Sequence, residues 1–126
     1  VCKNSKATYY KELADLAKLY SAVTGLDMSS AELEATGERI INLARLINIR
    51  EGLTRNDDTL PWKALNQPIT EDGPAKGAVV TQDELDLLLD DYYNSRGWTV
   101  EGVPPATKLQ ELGLAEFKSI VEGKEA

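Results

Sequence analysis

A chain of 126 residues and 13.8 kDa has the length of one ordinary domain and buries roughly two-thirds of its unfolded surface around one core, so two independent domains are not expected. Its 42% hydrophobic and 28% charged residues lie near globular averages, which excludes a disordered or low-complexity chain. The balance of 14 Lys+Arg against 21 Asp+Glu gives a net charge of −7, and with no local basic patch this speaks against nucleic acid or an anionic membrane as partner. The chain has no histidine, so any triad or metal site that needs an imidazole must borrow it from elsewhere. One cysteine, Cys2, cannot staple a fold, which makes an intracellular, reducing setting the expectation. No apolar run approaches the ~20 residues that span a bilayer, and the opening Val1-Cys2-Lys3 is read as a processed or truncated start.

Over residues 8–24, Tyr9, Leu13, Leu16, Tyr20 and Val23 recur at spacings of three and four, the period of one helix face, and Gly25 supplies a left-handed stop. Ser29 and Glu32 form a capping box for a second helix, expected to run to about Gly52 with Leu33, Gly37, Ile40, Ala44 and Ile47 along one face. Ile41, Leu43, Leu46 and Ile49 extend its apolar content round most of the circumference. Such a helix is expected to be central, so that Ile40→Asp or Ile47→Asp unfolds the domain. Residues 54–80 contain Pro61, Pro68, Pro74, Gly73 and Gly77 without helical or alternating period, a long loop that needs a partner surface or a function. Thr81 and Glu84 cap a third helix carrying Leu85, Leu88, Leu89 and Tyr92 to Arg96-Gly97. Pro104-Pro105 open a fourth with Leu109 and Leu112, closed by Gly113, and residues 115–121 form a fifth amphipathic piece. The fold expectation is all-α, about five helices in a single domain over 1–126, with one irregular loop at 54–80 and no substantial sheet.

Glu38, Asn42 and Arg45 form a polar ridge at i, i+4 and i+7 on an otherwise largely apolar helix. The favoured reading is a structural ion-pair and amide network; the alternative is direct contact with a ligand, since a guanidinium stays charged when buried. Arg55, Asp57 and Asp58 open the long loop, and lacking the alternating oxygen ligands and central Gly of a calcium loop they read as salt-bridging and turn-capping groups. Asp83, Glu84, Asp86, Asp90 and Asp91 read as carboxylates at a helix N-terminus followed by a solvated face. Taken by itself, Cys2 is most often an inert thiol, although Lys3 and Lys6 would depress its pKa somewhat.

The run Gly37-Glu38-Arg39-Ile40, Asn42-Leu43, Arg45-Leu46, Asn48, Arg50-Glu51-Gly52, Arg55, Asp57-Asp58 and Leu60-Pro61 resembles the C-terminal region of the aldehyde:ferredoxin oxidoreductase family of tungsten (or molybdenum) bis-pterin enzymes. Ala22, Thr24-Gly25 and Asp27 before it, and Gly73-Pro74, Gly77, Tyr92-Tyr93, Arg96-Gly97-Trp98, Gly102, Pro104, Leu109 and Leu112-Gly113-Leu114 after it, extend the likeness over nearly the whole chain. In that family a D-x-x-G-L-C motif precedes this region, and its cysteine is the last of four thiolates around a [4Fe–4S] cluster beside the pterin. Cys2-Lys3 looks like the end of that motif. The resemblance therefore implies that residues 1–7 form a linker bearing one cluster ligand, Cys2, in the full-length enzyme only. The other three cysteines, in a C-x-x-C-x-x-x-C run, the pterin-seating domain and the acid/base residues belong far upstream, so this chain is assigned no catalytic residue. The family pattern is left at Asn4, Lys63 and Thr99, all away from the cluster position; these departures bear on subfamily and substrate.

Two functions of different class follow. In the first, the chain is the C-terminal helical domain of a cytoplasmic enzyme that oxidises aldehydes to carboxylic acids and passes electrons through the cluster to ferredoxin; alone, it holds no cluster and is inactive. In the second, it is a stand-alone acidic helical interaction domain without catalysis. A C-x-x-C-x-x-x-C run ahead of Val1 selects the first, and a start codon immediately before Cys2 the second.

Overall fold

A computed structural model describes residues 12–124. Among these residues every regular element is helical: α1 (Leu13–Thr24), α2 (Ser30–Arg50), α3 (Trp62–Asn66), α4 (Gln82–Arg96) and α5 (Ala106–Glu111), with 3-10 segments at Arg55–Asp57 and Ala115–Ile120. The all-α expectation holds. Tyr9, Cys2 and the linker assigned to residues 1–7 lie outside the described residues.

Helix boundaries fall where local chemistry puts them. At the start of α2 the Glu32 carboxylate accepts from the Ser29 N–H at 2.8 Å and from its hydroxyl at 2.7 Å, while Ser29 Oγ accepts from the Glu32 N–H at 3.2 Å. Thr81 and Glu84 repeat this at α4, with the carboxylate 2.8 Å from both the Thr81 N–H and hydroxyl. Each box satisfies amide donors that a helix N-terminus otherwise leaves open. Gly25 and Gly97 close α1 and α4 in the left-handed region, at φ 74° and 66°.

The stretch 54–80 is more structured than its sequence suggests. The Asp57 carboxylate accepts from the Thr54 N–H at 2.8 Å and hydroxyl at 3.0 Å, which lowers its pKa and fixes the 3-10 turn. Pro61 then leads into α3, five residues long and too short for a period to register in sequence. The remainder is irregular but tied by its backbone: Gly77 N–H donates to Ile69 at 2.7 Å, Ile69 N–H to Ala78 at 3.1 Å and Val80 N–H to Ala64 at 3.1 Å. The expected fifth helix is a 3-10 segment instead, held by the Phe117 N–H to Leu114 and the Val121 N–H to Lys118.

The chain divides into two compact units, Val1–Ala44 and Arg45–Ala126. In the first, Ala17 is buried on α1, and Ser21 Oγ both donates to the Ala17 carbonyl and accepts from the Met28 N–H, fastening the connection that leads to α2. In the second, Leu46, Ile49, Val103, Leu109, Leu112, Leu114 and Val121 form one apolar core, with Phe117 and Ile120 packed on it. Lys124 Nζ donates to the Ile49 carbonyl at 3.1 Å and so caps the last turn of α2.

One expectation about α2 fails. Ile40 and Ile47 are 62% and 46% exposed, whereas Asn42, Arg45, Leu46 and Ile49 are buried. At about 100° per residue these two sets lie on roughly opposite sides of the helix. The face with the cleaner apolar period is the outer one. In this 126-residue chain Ile40→Asp is accordingly expected to change stability by less than about 1 kcal/mol, whereas Leu46→Ala, which empties a fully buried site, is expected to cost about 2–5 kcal/mol. Urea denaturation of the two variants beside the parent chain measures both.

Candidate functional site

The chemistry-bearing side chains of the described residues converge on Arg45, near the C-terminal end of α2. Its side chain is 6% exposed. The guanidinium donates from Nε to the Gly102 carbonyl at 2.8 Å and from Nη1 to Asp58 Oδ1 at 3.0 Å, while Nη2 lies 2.8 Å from Asp58 Oδ2 as an ion-pair contact. Tyr93, on α4, donates its hydroxyl to the same Asp58 Oδ2. The guanidinium carbon also sits 5.7 Å from the Tyr93 ring centre and 5.5 Å from that of Trp98, so its faces as well as its edges are used.

Arg55 forms a second cationic tie around the same aromatic residue. It donates to the Val100 carbonyl at 2.7 Å, pairs with Asp90 at 2.7 Å and lies 5.4 Å from the Tyr93 ring centre. Two arginines thereby hold the 99–103 turn, Arg45 at Gly102 and Arg55 at Val100, and the turn closes on itself through the Gly102 N–H to Thr99 and the Thr99 N–H to Val103. Gly102 has φ 71°, and a Cβ there would lie 2.5 Å from Arg45 Nη2 and 2.6 Å from the Tyr93 ring. Only glycine fits both the backbone and the space.

This arrangement restrains rather than reacts. Burial, followed by the bond to Asp58 and its negative charge, pushes the Tyr93 phenol up to about 12, so it stays a donor through the neutral range. Both Asp58 oxygens are engaged, Oδ1 by Arg45 and Oδ2 by the Tyr93 hydroxyl and the ion pair. The structural reading of Arg45 and Asn42 holds: Arg45 takes a carboxylate partner, and buried Asn42 donates to the Glu38 carbonyl at 2.9 Å. Asp57 caps and Asp58 bridges, as their spacing suggested. Asp90 is 57% exposed, as the solvated-face reading expects, and also pairs with Arg55 across 35 positions of sequence. Tyr93, Trp98 and Gly102 were not singled out as a site; their signal was their place in the resemblance, not any local pattern. Residues 12–124 contain no group of three or more His, Cys, Asp or Glu able to hold a metal ion, and no described helix is long and apolar enough to cross a membrane. Cys2 lies outside the described residues, so its environment carries no weight here.

A family model described as aldehyde ferredoxin oxidoreductase, domains 2 and 3, matches residues 1–114. The chain belongs to that family. The tungsten-containing aldehyde ferredoxin oxidoreductase of Pyrococcus furiosus is 44% identical over 104 residues, 82% of this chain and 16% of that protein. The corresponding protein of Thermococcus kodakarensis is 43% identical over the same length and shares. Among solved structures, the active-site complex BamBC of benzoyl coenzyme A reductase aligns with TM-score 0.66 and 27% identity, covering 90% of this chain and 16% of that one. The chain thus spans about one-sixth of the length of these relatives. Membership over residues 1–114 favours the family reading over a stand-alone interaction domain.

Within this family member the hub yields two stability tests. Asp58→Asn leaves Arg45 buried without a counter-charge and is expected to cost about 2–4 kcal/mol, less than for a wholly buried pair because the Asp58 side chain keeps 27% exposure. Gly102→Ala combines a positive φ with a collision against Arg45 and Tyr93, and should cost at least about 2 kcal/mol by thermal or chemical denaturation. Alkaline titration isolates Tyr93. A phenol whose pKa rises from 10.0 to about 12 on folding contributes stability that is complete below pH 10 and is lost as pH climbs through 12. Tyr93→Phe should therefore lose about 1.5–3 kcal/mol at neutral pH and show a shallower decline across that window than the parent chain.

Proposed function

We propose that this chain is the C-terminal helical part of a tungsten- or molybdenum-dependent oxidoreductase that converts aldehydes to carboxylic acids. The reading is supported above all by the family match over residues 1–114 with 44% identity to a tungsten-containing aldehyde ferredoxin oxidoreductase. In the overall reaction an aldehyde and water give a carboxylic acid, two protons and two electrons. The chemistry supplied by the parent's metal–pterin centre is that two-electron oxidation, with single electrons leaving through a [4Fe–4S] cluster to ferredoxin. The described residues contain no group of three or more His, Cys, Asp or Glu able to hold a metal ion, and the part read for them is architectural: they hold the 99–103 turn and the α2–α4 hub. Cys2 is assigned as one of four cluster thiolates, on the strength of its sequence position alone. A cytoplasmic location, the remainder of the parent polypeptide as partner, and the absence of cluster and activity from these 126 residues by themselves belong to the same reading.

The test is made in the full-length enzyme. Cys2→Ala there should lower iron content and the rate of ferredoxin reduction while leaving tungsten or molybdenum content and circular dichroism unchanged, because the change removes a cluster ligand. Unchanged iron and an unchanged rate would make the cysteine an inert thiol.

A further inference from the structure

The outer face of α2 is a feature the hub leaves unused. Leu33, Gly37, Ile40, Ala44 and Ile47 follow one another at steps of 4, 3, 4 and 3, the spacing of a helix-packing seam that alternates large and small side chains. Ile40 and Ile47 are both exposed, at 62% and 46%, and a Cβ built on Gly37 would meet nothing within 4 Å. A glycine in the middle of a 21-residue helix weakens it relative to alanine, and none of the described residues fills the space that results. Close approach of another backbone is the physical use of such a gap. The seam is also wide. At about 100° per residue, every charged residue of α2 falls outside a sector of roughly 160° centred on it, and the seam's neighbours inside that sector are Ser30, Thr36, Ile41, Leu43 and Asn48.

We infer that this face is the surface on which a helix from the rest of the parent polypeptide docks, with its closest approach at Gly37 and Ala44. The inference rests on the family reading above and gives that reading a place of contact. The occupant follows from two observations. A two-helix seam between copies of this chain would keep charged residues along its borders to fix register and remain soluble, whereas here charge stands only towards the two ends, as at Glu34 and Arg50, and the central border positions Thr36, Ile41, Leu43 and Asn48 are apolar or neutral and suit burial inside a larger body. The matched segment is moreover 16% of the length of the relatives, so in such a protein most of the polypeptide lies elsewhere and is available to cover it.

The full-length polypeptide tests this when p-benzoylphenylalanine is placed at Ile40 and, separately, at Ile47, followed by irradiation, digestion and mass spectrometry. Cross-links from both positions to peptides outside these 126 residues are expected. Cross-links between two copies, to another part of this same segment, or to none would overturn the proposal. Gly37→Phe in the same background should abolish the Ile40 cross-link by filling the gap; its persistence at full yield would overturn the close approach. Metal analysis of each preparation separates the two readings: tungsten and iron present without the cross-link sinks only the docking face, whereas the cross-link without either metal sinks only the cofactor assignment.

Discussion

A guanidinium that has left water sets the terms for the second unit. Arg45 cannot shed its proton, so its burial is tolerable only where counter-charge and acceptors are already in place. Asp58 supplies the charge, the Gly102 carbonyl an acceptor, and the Tyr93 and Trp98 rings two electron-rich faces. These groups come from the end of α2, from the loop that follows, from α4 and from the turn beyond α4. A single side chain thereby ties together segments that are distant in sequence, and each tie is directional where apolar packing is not.

That directionality accounts for several features that seem unrelated. Asp58 can face Arg45 because the preceding 3-10 turn is fixed by the Thr54–Asp57 cap, so two adjacent carboxylates have different tasks. Tyr93 can reach Asp58 because α4 starts at the Thr81–Glu84 box and stops at Gly97, which brings Trp98 back beside the rings of Tyr92 and Tyr93 at centre distances of 5.8 and 5.9 Å. Gly102 lies where the backbone meets both Arg45 and Tyr93, so the side chain it lacks is what admits them.

How much of this the sequence disclosed depended on range. The capping boxes at Ser29–Glu32 and Thr81–Glu84 and the glycine stops at Gly25 and Gly97 act within four residues, and all were legible. The roles of Asp57 and Asp58 were legible as types of interaction, but the partner of Asp58 lies 13 positions away on another element and no local rule names it. Arg55 and Asp90 are separated further still, and a carboxylate on a helix surface gives no sign that an arginine from a distant turn will reach it. Residues 62–66 were hidden because five residues do not complete two helical turns, and 115–121 were legible as an amphipathic piece but not as 3-10, because i+3 and i+4 spacings cannot be told apart over so short a run. Cys2 was identified from the resemblance and remains a matter of sequence.

The most instructive discrepancy is the side of α2 that faces inward. Its period of Leu33, Gly37, Ile40, Ala44 and Ile47 is the stronger hydrophobic signal, yet Asn42, Arg45, Leu46 and Ile49 are the residues buried. Energetics decides this. Turning the helix by half a revolution would gain at most about 2–3 kcal/mol for each isoleucine removed from water, but it would also expose Leu46 and Ile49 and strip the hub of its cation. Asp58 would then keep a partly desolvated carboxylate without its counter-charge, at a cost of about 2–4 kcal/mol if the site stayed closed. The apolar terms on the two faces largely cancel, and the ion pair breaks the tie. A periodicity rule counts apolar residues and gives no weight to a paired charge, so it selects the wrong face wherever a helix is apolar on two sides. A helix with two apolar faces is one suited to the interior of a larger body, with its own hub fixing one side and leaving the other for what lies beyond it.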